Sequence, residues 1–172
     1  MAHVLSFYKL NDTQLLELKW SGCVEVFIGI ESGSPRILKM IHKTSDVDLI
    51  RQTIERLFRA GINVKGYFIF GFETETIEDM EMSYDLAVWL KKSSAKNGVN
   101  FRTSVFQFRP YHGTELYHDM ILKGKIIDEV EYHKDLSVSI GRKQFNFTSG
   151  NFSEVPDEIL RRFITETNEI NR

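Results

Sequence analysis

The chain has 172 residues, 42% of them hydrophobic and 27% charged, with a formal net charge of −2 at pH 7. That length and balance describe a single folded domain with a substantial core and no attraction for polyanions, so nucleic acid is not expected as a main partner. Its single cysteine, Cys23, excludes an intrachain disulfide or a multi-thiolate metal site and fits a reducing cytoplasm, and no apolar run is long enough for a membrane span or a signal peptide.

The first helical pattern covers about 12–21, opened by Asp12 and carrying Leu15, Leu18 and Trp20. The strand VEVFIGI (24–30) follows and stops in Glu31-Ser32-Gly33-Ser34. A helix begins there at once, with Ser34 placed to cap it and Pro35 suited to its first position. Residues 46–60 form the next helix, with Val47, Ile50, Ile54, Leu57 and Phe58 on one face and Ser45 or Asp46 as its cap. The strand VKGYFIF (64–70) runs into the loop GFETET. A helix over 77–92 then carries Ile77, Met80, Tyr84, Ala87 and Val88 on one face, behind a capping box at Thr76 and Asp79. The strand NFRTSVFQF (100–108) ends in RPYHGT, and Thr114–Leu122 reads as a helix. Residues 125–152 are mixed, with KQFNFTSGNF (143–152) resembling a strand or an ordered loop. Pro156 opens a last helix with Ile159, Phe163 and Ile170 inward.

Gly22, Gly61 and Gly98 stand 39 and 37 residues apart, each closing a helical pattern and opening a strand pattern. A left-handed residue just past a helix does this. Strand–helix units at such a period need crossover connections and imply a parallel sheet. The strands' later halves are nearly all apolar, as expected of strands covered on both faces. The predicted fold class is α/β, an incomplete TIM-like (β/α) barrel.

In parallel α/β folds chemistry gathers at the carboxyl ends of the strands. Glu31 is the first candidate there. A carboxylate ending an apolar strand is costly to bury unpaired, so it must face solvent, a cation or adjacent hydroxyls such as those of a ribose. Glu73 and Glu75 precede a helix, where negative charge complements the dipole, and as a pair they have the composition of a general acid and base. Arg102 and Arg109 lie seven apart on one strand pattern, hence on opposite faces. Arg109, nearer the mouth, suits an anionic substrate or phosphate, or a salt bridge to a strand-end glutamate. Tyr67 and Tyr111 stand in aromatic runs that otherwise fill core, and their hydroxyls need partners; Tyr67 joins Arg109 as a candidate substrate contact. Cys23 reads as a small buried residue, and the five histidines show no ligand spacing, so no metal site is assigned.

Three stretches, LLELKWSGCVEVFIGIESGSPRILKMIHK, RAGINVKGYFIFGFETETIEDM and RPYHGTELY, resemble the second half of the barrel of radical S-adenosylmethionine (radical SAM) enzymes. They are most similar to the cobalamin-associated group. The likeness covers about residues 12–120, and ESGS with Lys43 downstream is its most specific part. It implies that Glu31 and Ser32 meet the ribose or the methionyl end of S-adenosylmethionine, with Ser34 beside them. Ile69 and Gly71 would lie against adenine, and Gln107, within the main chain of 106–108, would complete that pocket. Glu75 aligns with the family's loop glutamate and is counted among the cofactor contacts. The chain departs from the family at Glu73-Thr74, where Pro-Gly is usual, and at His112, where Pro precedes Gly-Thr.

For the intact enzyme the resemblance implies reductive cleavage of S-adenosylmethionine at a 4Fe–4S cluster to a 5′-deoxyadenosyl radical. Oxidoreductase or transferase chemistry on a small-molecule substrate would follow, with cobalamin as a further candidate cofactor. The cluster needs three cysteines spaced C-x3-C-x2-C, and this chain has one, aligned with a non-ligand position. The expectation is therefore a C-terminal piece of a larger enzyme, inactive alone and with no catalytic residue assigned. Residues 1–124 would form the half-barrel, with VLSFYK (4–9) as a remnant of the third strand, and 125–172 an extension packed on the same domain. Two alternatives stand beside this. One is a binding or interaction module that self-associates through the exposed first strand. The other is an unrelated TIM-like enzyme with Glu31 and Glu75 as acid and base.

Overall fold

The computed structural model describes residues 2–138 and 151–172. In chain order these form β1 (Ala2–His3), α1 (Val4–Tyr8), α2 (Asp12–Trp20), β2 (Glu25–Glu31), α3 (Pro35–Met40) and α4 (Val47–Arg59). There follow β3 (Asn63–Phe70), α5 (Ile77–Lys96), β4 (Phe101–Gln107), α6 (Glu115–Leu122), α7 (Glu129–Val138) and α8 (Asp157–Glu169). The four strands make one sheet in the order β1-β2-β3-β4, every neighbouring pair parallel. This is the α/β architecture of a partial TIM-like barrel. Glu31 lies opposite Phe68 and Phe70 opposite Gln107, so β2, β3 and β4 all end on one rim.

Local sequence explains the units. Asn11, Ser34, Asp46, Thr76 and Thr114 cap α2 to α6 with side chains that accept a backbone N–H of the first turn. At the other end of α2, α4 and α5, Gly22, Gly61 and Gly98 take φ of 97°, 77° and 68°. The paired backbone bonds of a Schellman turn close each helix, as from Gly61 to Phe58 and from Ile62 to Leu57. The chain is thereby aimed back at the sheet.

The core lies between the sheet and its helices. Along β3, Val64, Gly66, Phe68 and Phe70 are buried, alternating with half-buried residues. They pack with Ile28 and Ile30 of β2, Ile54, Leu57 and Phe58 of α4, and Leu86, Ala87 and Leu90 of α5. Each such large side chain contributes roughly 1.5–3 kcal/mol on burial. The other face, which would be the barrel interior, carries Glu25 and Phe27, Lys65 and Tyr67, and Arg102 and Phe106 in adjacent rows.

Several expectations change. VLSFYK is not strand: β1 is the two residues before it, and His3 Nδ1 accepts the Leu5 N–H at 3.2 Å and so starts α1. Helix α5 runs to Lys96 rather than 92, where Gly98 ends it. Ile77, read as inward, is exposed, and so is Trp20. The mixed segment holds α7, whose signal was the pair Asp128 and Glu131: Asp128 Oδ1 accepts the Glu131 N–H at 2.9 Å. Of KQFNFTSGNF, residues 143–150 lie outside the described residues. Helix α8 packs on α5 and β4, with Phe163 stacked on Phe70 at 6.2 Å. Beyond it, Asn171 closes the edge of β4: its Oδ1 accepts the Thr103 N–H at 2.6 Å and its Nδ2 donates to the Thr103 carbonyl at 3.0 Å. A side-chain amide there takes the place of a neighbouring strand. Among the described residues no helix is long and apolar enough to cross a membrane.

Candidate functional site

The end of β2 is irregular where the functional reading needs it to be. The β2–β3 register shifts between Gly29 and Glu31, Glu31 has φ 68°, and the Ser32 N–H reaches the Ile30 carbonyl at 2.9 Å. This bulge and tight turn re-aim the Glu31 side chain, at a backbone cost on the order of 1 kcal/mol. The carboxylate folds back over Gly29, where a Cβ would sit only 2.4 Å from Oε1. Oε1 lies 3.4 Å from Lys43 Nζ, and the Glu31 side chain keeps 14% exposure. Burial pushes its carboxyl above the usual carboxylate range, while Lys43 pulls it back.

The two serines of ESGS point the other way, into α5. Ser32 Oγ lies 3.0 Å from Ser83 Oγ, Ser34 Oγ donates to Asp79 at 2.5 Å, and the Gly33 N–H donates to Ser83 Oγ at 2.8 Å. Gly33 has no room for a side chain, since a Cβ would meet the Met82 carbonyl at 2.3 Å. Arg36 then ties this loop to the next, donating to the Thr74 carbonyl at 2.6 Å and pairing with Asp79. Burial opposes ionisation of Asp79, but its bonds with Arg36, Ser34 and Thr76 prevail and hold its carboxyl below the usual range. The loops after β2 and β3 are therefore one cross-linked body.

Glu75 is fully enclosed. Its Oε2 accepts the N–H groups of Gly71 at 2.5 Å and Phe72 at 3.1 Å, while Oε1 is buried with no hydrogen-bond partner among the described residues. Desolvation pushes its carboxyl up to about 8 despite the two amides. Glu73 instead pairs outward with Lys123 at 2.6 Å and Lys125 at 3.8 Å.

Beyond β3 and β4 lies a groove of about 250 Å³ lined by Ile69, Phe72, Phe106, Gln107, Phe108, Arg109 and Tyr111. Of the predicted site residues, Ile69, Gln107 and Arg109 meet there, Gly71 lies beside Gln107, and Glu31 is on the same rim two strands away. Tyr67 lies lower on the inner face, stacked on Phe106 at 5.8 Å and edge-on to Phe27 at 6.2 Å, with Lys65 Nζ 5.2 Å from its ring centre. Arg109 is past the end of β4 rather than on it; Arg102, on the strand, makes a paired contact with Glu25 at 2.8 and 2.6 Å. Ser32, Ser34 and Glu75 have their side chains turned away from the rim surface. Reading along the chain missed Lys43 as the partner of Glu31, Gly29 as its seat, and Arg36 and Asp79 as the clamp. The pattern G-x-E at 29–31 was the one visible hint, because a missing Cβ two residues before a carboxylate leaves room for it to fold back.

With this geometry in place, the likeness to known proteins is specific. The Radical SAM superfamily profile matches residues 5–87, which carry Glu31, Lys43 and the whole β3 loop. Residues 5–87 belong to the radical SAM superfamily. An uncharacterised methyltransferase of Pyrococcus horikoshii is 28% identical over 145 residues, covering 84% of this chain and 30% of that protein. Cytidylyl-2-hydroxyethylphosphonate methyltransferase of Streptomyces wedmorensis is 33% identical over 131 residues, 72% of this chain and 23% of that protein. Anaerobic magnesium-protoporphyrin IX monomethyl ester cyclase of Rubrivivax gelatinosus is 27% identical over 137 residues, 70% of this chain and 25% of that protein. The chain thus spans less than a third of the length of these relatives.

The radical SAM family implies S-adenosylmethionine and a 4Fe–4S cluster, and the residues here fit only the first. Glu31, a mostly buried carboxylate paired with Lys43, and an apolar groove on the same rim suit a nucleoside. The cluster needs three thiolates, whereas Cys23 is the chain's single cysteine and its thiol donates to the Glu25 carbonyl at 3.8 Å.

Proposed function

We propose that this chain forms the nucleoside side of the S-adenosylmethionine site of a radical SAM enzyme, with part of the substrate pocket. The observation that carries this is the Glu31 carboxylate, turned by a strained bulge onto the same rim as the Ile69–Gln107 groove. Glu31 accepts hydrogen bonds from the two ribose hydroxyls. Ile69 and the main chain of Gly71 and Gln107 hold the adenine ring, while Tyr67 and Arg109 face the substrate. Ser32, Ser34 and Glu75 act indirectly, by fixing the loops. In the whole protein S-adenosylmethionine would supply radical chemistry, held on its nucleoside side by Glu31, Ile69, Gly71 and Gln107. Relatives named as methyltransferases support transferase chemistry on a small molecule.

The acid–base alternative is weakened by Glu75, whose carboxyl has no surface to offer a substrate. Titration of the chain with S-adenosylmethionine, followed by NMR, tests the preferred reading. Weak binding, on the order of millimolar, is expected, abolished by Glu31→Ala. Binding that is tight and indifferent to Glu31→Ala would instead favour the interaction-module reading.

A further inference from the structure

Glu31 does not reach the rim by itself. Helix α3 ends at Met40 with Ile41 as its C-cap, and His42 takes φ 57° just beyond. The His42 N–H reaches the Lys39 carbonyl at 3.2 Å and the Lys43 N–H the Leu38 carbonyl at 2.8 Å, a complete Schellman turn without glycine. This fixes the backbone of Lys43, and its ammonium comes 3.4 Å from Glu31 Oε1. Lys43 Nζ also lies 3.8 Å from where a Gly29 Cβ would stand, so ammonium, carboxylate and glycine notch occupy one small volume. His3 of β1 and Tyr67 of β3 flank Gly29 in register, and burial and then Lys43 hold His3 toward its neutral form. His3 Nδ1 already accepts the Leu5 N–H, so it offers Glu31 no competing cation.

We propose that Gly29, Glu31 and Lys43 work as one unit, in which Lys43 is a positioning residue that keeps the Glu31 carboxylate charged and laid back in the notch Gly29 leaves. The nucleoside hydroxyls then meet an anion already set in place, and no reorganisation is needed on binding. This rests on the reading of Glu31 as the ribose acceptor and goes beyond it by assigning the two residues that make the acceptor usable. Burial favours protonation, which would make the carboxyl a poorer acceptor; the Lys43 ammonium opposes that while leaving the second oxygen free of the lysine.

The test uses the full chain and two readouts. In the ligand-free protein, the Glu31 side-chain carboxyl is followed through a pH titration by carbon-detected NMR. Lys43→Met raises its midpoint and Lys43→Arg restores it; an unmoved midpoint overturns the proposal on its own. S-adenosylmethionine binding at neutral pH then falls about tenfold in Lys43→Met, the loss of one charge-assisted interaction, and recovers in Lys43→Arg. Gly29→Ala keeps both charges but fills the notch, and also weakens binding about tenfold with the fold intact, because only the mobile end of Glu31 stands in the way. Binding unchanged in both Lys43→Met and Gly29→Ala, while Glu31→Ala abolishes it, overturns the positioning role but not the ribose reading. Binding untouched by Glu31→Ala overturns the ribose reading and this proposal's ligand half together, with the midpoint still deciding whether Lys43 governs Glu31.

Discussion

Glu31 and Glu75 are the same residue type on the same rim, and burial raises the carboxyl of each above its usual range. Their partners differ. Glu31 faces an ammonium on a flexible stem and keeps 14% side-chain exposure. Glu75 has 0% and holds two amides of its own turn. A lysine held at one oxygen leaves the partly open carboxylate's other oxygen to a ligand's hydroxyls. Two backbone N–H groups inside a closed turn cannot be released without opening the loop. Burial and a shifted pKa therefore do not separate a binding carboxylate from a structural one; access to the oxygen its partner leaves open does.

The largest expected effect breaks the structural member. Glu75→Ala leaves the Gly71 and Phe72 amides without their acceptor in a closed interior, a loss of about 2–4 kcal/mol read from urea unfolding. The same residue makes stability depend on pH. Its folded value of about 8 lies above the reference 4.5, so its stabilising contribution is complete below pH 4.5 and disappears as pH rises toward 8. Thermal unfolding of the wild type should drop across that window, by on the order of a few kcal/mol, while Glu75→Gln stays flat. Equal slopes for both proteins would mean the carboxyl is ionised and compensated in the fold.

Next in size is the clamp that holds the two glutamates' loops together. Asp79→Asn removes the charge from Arg36 and weakens the bond from Ser34, for an expected loss of roughly 1–2 kcal/mol, discounted because half of Arg36 faces solvent. Here the pH sign is opposite. A depressed carboxyl stabilises above its reference of 3.8 and loses that contribution as pH falls below it. The gap between wild type and Asp79→Asn should close on acidification, as measured by unfolding midpoints from pH 6 down to about 2.

The parts of this molecule readable from sequence are those decided within a few residues. Thr76 with Asp79, and Gly61 before its strand, act on their own helix, and both behave as their spacing implies. Parallel pairing follows from the repeat of such units. The clamp was not readable in this way, because Ser32 meets Ser83 and Arg36 meets Thr74 across 51 and 38 residues of chain. VLSFYK misled for a related reason: an apolar stretch suits strand or buried helix, and His3 as a cap decides between them. Ser32, Ser34 and Glu75 were marked by position in a motif, but whether a side chain faces the rim or the helix behind it depends on φ at single residues such as Glu31 and Thr74, at 68° and 61°.

The smallest expected effect is the most useful for keeping the two glutamates apart. Glu31→Gln removes a carboxylate that burial disfavours, and the Lys43 left behind is 30% exposed and can turn to water. The two consequences oppose each other, so unfolding in urea should stay within about 1 kcal/mol of wild type. Because the folded carboxyl is raised, its stabilising share is lost as pH increases through its folded value, and the variant should compare better at pH 8 than at pH 5. A loss above about 2 kcal/mol at pH 7 would place Glu31 with Glu75 as a structural group. A near-neutral change leaves the strained turn at Glu31 without a structural justification, and a ligand becomes the remaining reason for the chain to maintain it.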